Sequence, residues 1–264
     1  LIGCGHMGES LLVSWLKSNK YSLTVVDPLK INILKKKYKN KNISFFRNIE
    51  NIDTHMSSDY IVIAVKPSDL EITLNELKKI KFNNNTKLIS VVAGKKIKIF
   101  EKKFKNLKYI FRVMPNMPAL VGQSMNCIVS NKNSITRINK EIIKLLSHSG
   151  KTLILKNEKQ IDMATAISGS GPGYIFNIID AMEKAAIKLG FSKSVAKSIV
   201  SQTFKGSINL FLYKNIDAQD LVKSVATKGG TTEAGIKIMN KYQIHNIFTK
   251  LAKASFKKAK DQGK

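Results

Sequence analysis

The sequence predicts an α/β chain in which a doubly wound, mostly parallel sheet over residues 1–155 is followed by an all-helical segment over residues 156–264. Three observations carry this. Short apolar, β-branched runs alternate with longer amphipathic stretches in the first part, the pattern of strands joined by crossover helices. A glycine-rich turn, Gly3-Cys4-Gly5-His6-Met7-Gly8, opens that pattern. Beyond about residue 156 the strand signal fades, and apolar residues recur at the helical period with Gly and Pro as punctuation.

Taken in order, a helix is expected over Met7–Ser18, with strands at Leu23–Val26, Ile43–Phe46 and Tyr60–Val65. Ser68–Ile80 reads as helix, Leu88–Val92, Tyr109–Val113 and Asn126–Ser130 as strands, Thr136–His148 as helix and Thr152–Leu155 as a last strand. The strand expected before the glycine turn is reduced to Leu1-Ile2; with leucine at position 1, the natural chain is expected to begin earlier. In the second part Tyr174, Ile178, Met182, Ala185 and Leu189 fall on one helical face, and Gly190 is placed to stop that helix. Further helices are expected over Val195–Tyr213, Ala218–Ala226, Glu233–Asn240 and from Ile244 onward. No repeat or low-complexity linker separates the two parts, so close packing between them is expected.

Composition narrows the function classes. The chain has 264 residues, 43% of them hydrophobic, and no stretch approaches the roughly 18 uninterrupted apolar residues of a membrane span. Cys4 and Cys127 lie far apart, without the paired spacing of a metal or redox site, and a reducing cytoplasm is the expected compartment. His6, His55, His148 and His245 are scattered, so no metal is expected. The net charge of +27 invites a nucleic-acid partner, yet all but Arg47, Arg112 and Arg137 of the 45 basic residues are lysine. Base and phosphate readout favours the arginine fork, so the lysines read as solvated surface and no nucleic acid is expected.

The turn Gly3-x-Gly5-x-x-Gly8 precedes an apolar-periodic helix. Its glycines permit a tight turn and close approach of a pyrophosphate, and the helix N-terminus offers free N–H groups, so Gly3, Gly5, His6, Met7 and Gly8 are candidate cofactor contacts. Asp27, at the end of the following strand, stands where a ribose-reading carboxylate belongs and favours NADH; Lys30 or Asn48 would permit NADPH. A turn that only packs helix on strand is the competing reading. At later strand ends, Ala64-Val65-Lys66-Pro67 closes one strand toward the expected crevice. Ala93-Gly94 ends another with small residues that leave room for a flat ring, and Pro115 and Pro118 shape a loop presenting Asn116.

The helical part holds two glycine clusters, Ser168–Gly173 and Thr227–Gly235. Gly229-Gly230-Thr231-Thr232 forms either a nest of N–H groups for a carboxylate or a helix start capped by Thr231 or Thr232; Ser170 is the corresponding cap of the first cluster.

Arg112–Gly122 (RVMPNMPALVG), Ile167–Phe176 (ISGSGPGYIF) and Val225–Gly235 (VATKGGTTEAG), with GCGHMG and Ala64–Pro67 (AVKP), resemble pyrroline-5-carboxylate reductase, the enzyme of the last step of proline biosynthesis. The resemblance implies an N-terminal Rossmann-like domain, 1–155, and an all-α C-terminal dimerisation and substrate-binding domain, 156–264, working as a homodimer or a ring of dimers. It implies hydride transfer from NADPH or NADH to the C=N carbon of a small-molecule substrate, 1-pyrroline-5-carboxylate, in a site that includes the Gly229–Thr232 turn. The substrate carboxylate then falls to the backbone of Gly229, Gly230 and Thr231 with Thr227 assisting, and the ring nitrogen to Thr232. Lys66 and Asn116 line the nicotinamide side, with Thr232 and Lys66 as the catalytic pair. Two departures stand out. Lys228 replaces a proline common in the family, and Asp27-Pro28 differs from the polar or basic pattern of an NADPH-preferring member. A β-hydroxyacid dehydrogenase is the rival enzyme reading, but the helical part offers no isolated lysine for its acid–base step. A basic nucleic-acid-binding protein is the rival outside enzymes.

Overall fold

A computed structural model describes residues 1–18, 20–39, 41–52, 58–132 and 136–263; His55 lies outside the described residues. Strands β1 (Leu23–Val26) and β2 (Ile43–Phe46) pair in parallel. Strands β3 (Tyr60–Ile63), β4 (Lys87–Ser90) and β5 (Tyr109–Met114) form a second parallel set. Residues 1–3 join the two: Ile2 bridges to Val26 on one side and Ile63 on the other, through Gly3 N–H to Val26 O and Ile2 N–H to Val62 O, both 2.8 Å. The strand order therefore reverses at Leu1–Gly3, the switch point outside whose carboxyl end open α/β sheets bind ligands.

The sheet continues through β6 (Ser124–Ser130), antiparallel to β5, and β7 (Gly150–Ile154), parallel to β6. The sequence does not announce the reversal at β6. Only Pro115–Gln123 separates β5 from β6, too short for the helical crossover a parallel pair needs, so the chain doubles back through the 3-10 turn Met117–Val121.

Alternate residues of the buried strands feed two cores, as a sheet covered on both faces requires. Ile61, Ile63, Leu88, Ile110, Cys127 and Val129 pack with α3 (Leu70–Leu77) and α4 (Ile97–Lys103). Val62, Ile89, Phe111, Val113 and Ile128 face α1 (His6–Ser18) and α5 (Thr136–Ser147). The Trp15 indole N–H donates to Leu145 O at 3.0 Å and ties α1 to α5. Helix α2 (Ile31–Lys37), like α4, lacks a clear signature in the sequence: it is short and lysine-rich and buries only Ile31 and Leu34.

Helix α6 (Glu158–Ala164) is fixed to the sheet by charge. Arg112 on β5 is buried, its guanidinium 2.7 Å from Asp162 Oδ1 and 3.3 Å from Glu158 Oε1. The expectation that Ser170 caps a fresh helix fails. Helix α6 runs through a wide π-type turn, Thr165–Gly169, into α7 (Gly171–Lys188), and the Ser170 N–H bonds Thr165 O five residues back. Pro172, lacking an N–H, sits in the first turn of α7, directly after the π-type turn.

The chain divides into two units, Leu1–Ser170 with Ala254–Lys264, and Gly171–Lys253. The second consists of α7, α8 (Lys193–Lys214), α9 (Ala218–Val225), α10 (Thr231–Lys241) and the start of α11 (Ile244–Gln262). In α7 to α10 only Ala196 and Val200 are buried, while Phe176, Ile199, Leu210 and Phe211 stand exposed. Apolar residues at helical spacing without a covering layer are the mark of an interface. Among the described residues no helix is long and apolar enough to cross a membrane.

Replacing Arg112 with Met leaves the buried Asp162 carboxylate without its cation. The expected loss of unfolding free energy is about 3–5 kcal/mol, measured by urea denaturation at fixed protein concentration; a loss within error would show that Arg112 does not anchor α6.

Candidate active site

The glycine turn is built from the sheet outward. Gly3 holds a positive φ of 83°, and a Cβ there would come within 2.8 Å of Ala64 O; one on Gly8 would sit on the carbonyl oxygen of Gly3. Both glycines are therefore demanded by the chain's own packing. Gly5 is different: a Cβ there would meet nothing within 4 Å. Its bare face lies beside the N-terminus of α1, whose first N–H groups have no intrahelical acceptor, a cradle suited to a pyrophosphate.

Asp27 holds this turn in place. Its Oδ2 accepts the Cys4 N–H at 2.8 Å, and its Oδ1 accepts the Leu29 and Lys30 N–H groups at 2.9 and 2.7 Å. The residue expected to read the ribose is buried, and its carboxylate is turned onto backbone amides. Beneath it, burial pushes the Cys4 thiol up to about 12, with the Glu9 and Asp27 carboxylates adding to the shift.

Two crevices flank the turn. One, of about 360 Å³, is lined by Gly3, Gly5, Asp27, Asn48, Ala64, Val65 and Lys66, together with Lys30 and Arg47. The other, of about 380 Å³, is lined by Met7, Ala93 and Gly94, with Met114, Pro115, Thr165 and Ser170. Most of the predicted cofactor residues are thus brought to one turn and its two sides. His6, Gly8, Pro67 and Asn116 border neither crevice. Asn116 is a brace: its amide donates to Ser168 O at 3.0 Å and its Oδ1 accepts the Met125 N–H at 3.0 Å. Gly94 also has an internal reason to be glycine, since a Cβ there would lie 2.6 Å from Gln262 O of the last helix. Arg47, which also borders the first crevice, has one signal in the sequence, its place directly before Asn48 at an expected strand end.

The second glycine turn is a preformed helix start. Gly229 has φ 77°, Gly230 is the extended N-cap of α10, and no side chain caps it, so neither Thr231 nor Thr232 is the cap. The Gly230 N–H bonds Thr227 O at 2.9 Å, and the Gly229 N–H bonds Glu233 Oε2 at 2.9 Å. That amide bond, then Lys237, holds the Glu233 carboxyl below its usual range. A depressed carboxyl adds order above its ordinary titration range and loses it as the pH falls. Two amides expected to hold a carboxylate are therefore already engaged. Those of Thr231, Thr232 and Glu233 open α10, where the helix itself supplies no acceptor.

Residues 158–262 match the family described as pyrroline-5-carboxylate reductase dimerisation, and residues 1–94 match the family described as NADP oxidoreductase, coenzyme F420-dependent. A pyrroline-5-carboxylate reductase of Aquifex aeolicus is 32% identical over 240 residues, spanning 90% of this chain and 87% of that protein. The chain belongs to the pyrroline-5-carboxylate reductase family. The Haemophilus influenzae pyrroline-5-carboxylate reductase is 27% identical across 98% of this chain and 95% of its own length. The crystal structure of the Plasmodium falciparum pyrroline carboxylate reductase with NADP bound superposes with a TM-score of 0.85 at 30% identity, covering 100% of this chain and 97% of that one.

Within this reductase family the Rossmann-like part binds NAD(P)H, and the helical part carries the dimerisation segment. The uncovered apolar faces of α7 to α10 have their explanation in that segment.

The two kinds of glycine give separable outcomes. Gly5→Ala is expected to keep the wild-type melting temperature but to weaken NADPH and NADH binding by about 10-fold or more, by filling the pyrophosphate approach. Gly8→Ala is expected to lower the melting temperature itself. Scanning fluorimetry with cofactor titration checks both, and an unaltered affinity in Gly5→Ala would remove the turn from the cofactor site.

Proposed function

We propose that this chain reduces 1-pyrroline-5-carboxylate to L-proline with NAD(P)H, the last step of proline biosynthesis, in the cytoplasm and as a homodimer or ring of dimers. The observation that carries the reading is the preformed Gly229–Glu233 turn, in a chain of this family that also builds a dinucleotide cradle.

When bound, the dihydronicotinamide supplies a hydride from C4. The protein's residues have the remaining tasks of holding the cyclic imine with its C=N carbon toward that hydride and stabilising the nitrogen, which receives the π electrons and a proton. The amides of Thr231, Thr232 and Glu233 grip the substrate carboxylate, helped by the positive end of α10. Thr227, Gly229 and Gly230 shape the turn: a Cβ on Gly230 would come within 2.7 Å of Thr227 Oγ1, so the two residues fit only as a pair. Lys228 adds a nearby positive charge for the carboxylate. The Thr232 hydroxyl contacts the ring nitrogen, and Lys66, at the crevice wall, lines the nicotinamide side. Free buried thiols at Cys4 and Cys127 suit a reducing compartment.

Absorbance at 340 nm is expected to fall with NADPH or NADH only after pyrroline-5-carboxylate is added; no turnover with either cofactor would overturn the reading. Thr232→Ala is expected to lower kcat/KM about 10-fold or more, the scale of one lost polar contact. An unchanged value would leave Thr232 as the second residue of a helix and nothing else.

A further inference from the structure

Helix α11 starts in the helical unit, but from Ala254 onward it belongs with the sheet. Its last turn is seated there backbone to backbone. A Cβ on Gly94 would lie 2.6 Å from Gln262 O, and one on Gly263 would lie 3.1 Å from Gly94 O, so the seat is cut to two glycines. Ala259, buried, and Gln262, exposed, both line the 380 Å³ crevice beside Ala93 and Gly94. The rest of that crevice has little polar capacity to spare. Val92, Val113, Met114 and Pro115 present apolar wall. The Arg112 guanidinium is taken up by Asp162 and Glu158, the Thr165 hydroxyl donates to Ile161 O at 2.8 Å, and Ser170 adds one hydroxyl. The end of α11 is the opposite case. The Gly263 N–H bonds Lys260 O, three residues back, so the Ala259 carbonyl has no partner one turn on, and Gln262 O lies past the last helical donor. Among the described residues the Gln262 side-chain amide makes no hydrogen bond either.

The glycine turn separates the two crevices. The one at the ends of β1 and β2 has the place of the adenosine ribose, so the second, at Ala93 and Gly94, takes the nicotinamide. The carboxamide of that ring carries an acceptor oxygen and two N–H donors, which an apolar wall leaves unsatisfied. We propose that the last turn of α11 is a wall of the nicotinamide site, where the Gln262 amide and the Ala259 carbonyl hold the carboxamide and so fix the rotation of the ring and the direction of its C4. The Gly94–Gly263 contact is what brings that wall close enough. The inference rests on the dinucleotide reading of the two crevices.

Calorimetric titration of the whole chain with two ligand pairs isolates this wall: NADH against ADP-ribose, and NADPH against 2′-phospho-ADP-ribose, each pair differing only in the nicotinamide. In each pair the nicotinamide member is expected to bind about 10-fold or more tighter. Gln262→Ala, at an exposed position, is expected to keep the wild-type melting temperature and to lose about 3-fold or more of that ratio, the loss falling on the nicotinamide member alone. A chain ending at Ala259 is expected to lose the ratio almost entirely while the ADP-ribose compounds bind as before. Equal affinities within the wild-type pairs, a ratio unmoved by Gln262→Ala, or a loss shared by the ADP-ribose compounds would each overturn the proposal. If no member of either pair binds, the dinucleotide reading falls with it; if the ADP-ribose compounds bind and the ratio is absent, only the wall falls.

Discussion

Everything at the cofactor end depends on three residues wedged between two strands. Leu1–Gly3 hydrogen-bond to β1 on one side and β3 on the other, and without them a two-stranded piece and a five-stranded piece would share no edge. The wedge ends in the glycine turn, so the element that closes the sheet also places α1. A short central strand suffices because its backbone groups are satisfied on both sides and its side chains are packed, Ile2 buried in the main core and Leu1 against the two other apolar clusters.

From that constraint the division of labour among the glycines follows. Gly3 and Gly8 are compelled by the approach of Ala64 and of the turn's own carbonyl, while Gly5 is compelled by nothing inside the chain. A motif that looks uniform in sequence thus contains two positions that serve the fold and one open to a ligand. Asp27 shows the converse. Its spacing from the turn was readable, but the direction of its carboxylate depends on the Cys4, Leu29 and Lys30 amides, which no spacing rule specifies.

Much of the sheet was legible because buried strands write themselves as β-branched runs: Leu23–Val26 and Ile43–Phe46 fall where the pattern put them. The antiparallel course of β6 was not, since direction is set by connection length and not by composition. The two lysine-rich helices α2 and α4 were hidden for another reason: each buries two apolar residues, too few to mark a period. In the helical unit the 3.6-residue repeat located the helices well. It did not reveal that α6 and α7 are joined through a π-type turn, nor that Glu233 takes one of the amides the glycines seemed to offer.

The contact between Trp15 and Leu145 has a use outside folding. Trp15 is the chain's one tryptophan, and its indole is buried and hydrogen-bonded on the helix that begins at the glycine turn. Its emission therefore comes from a single rigid environment, and that emission overlaps the absorption of a dihydronicotinamide. The protein contains its own optical donor, oriented by the sheet, through which reduced cofactor can be followed without any label.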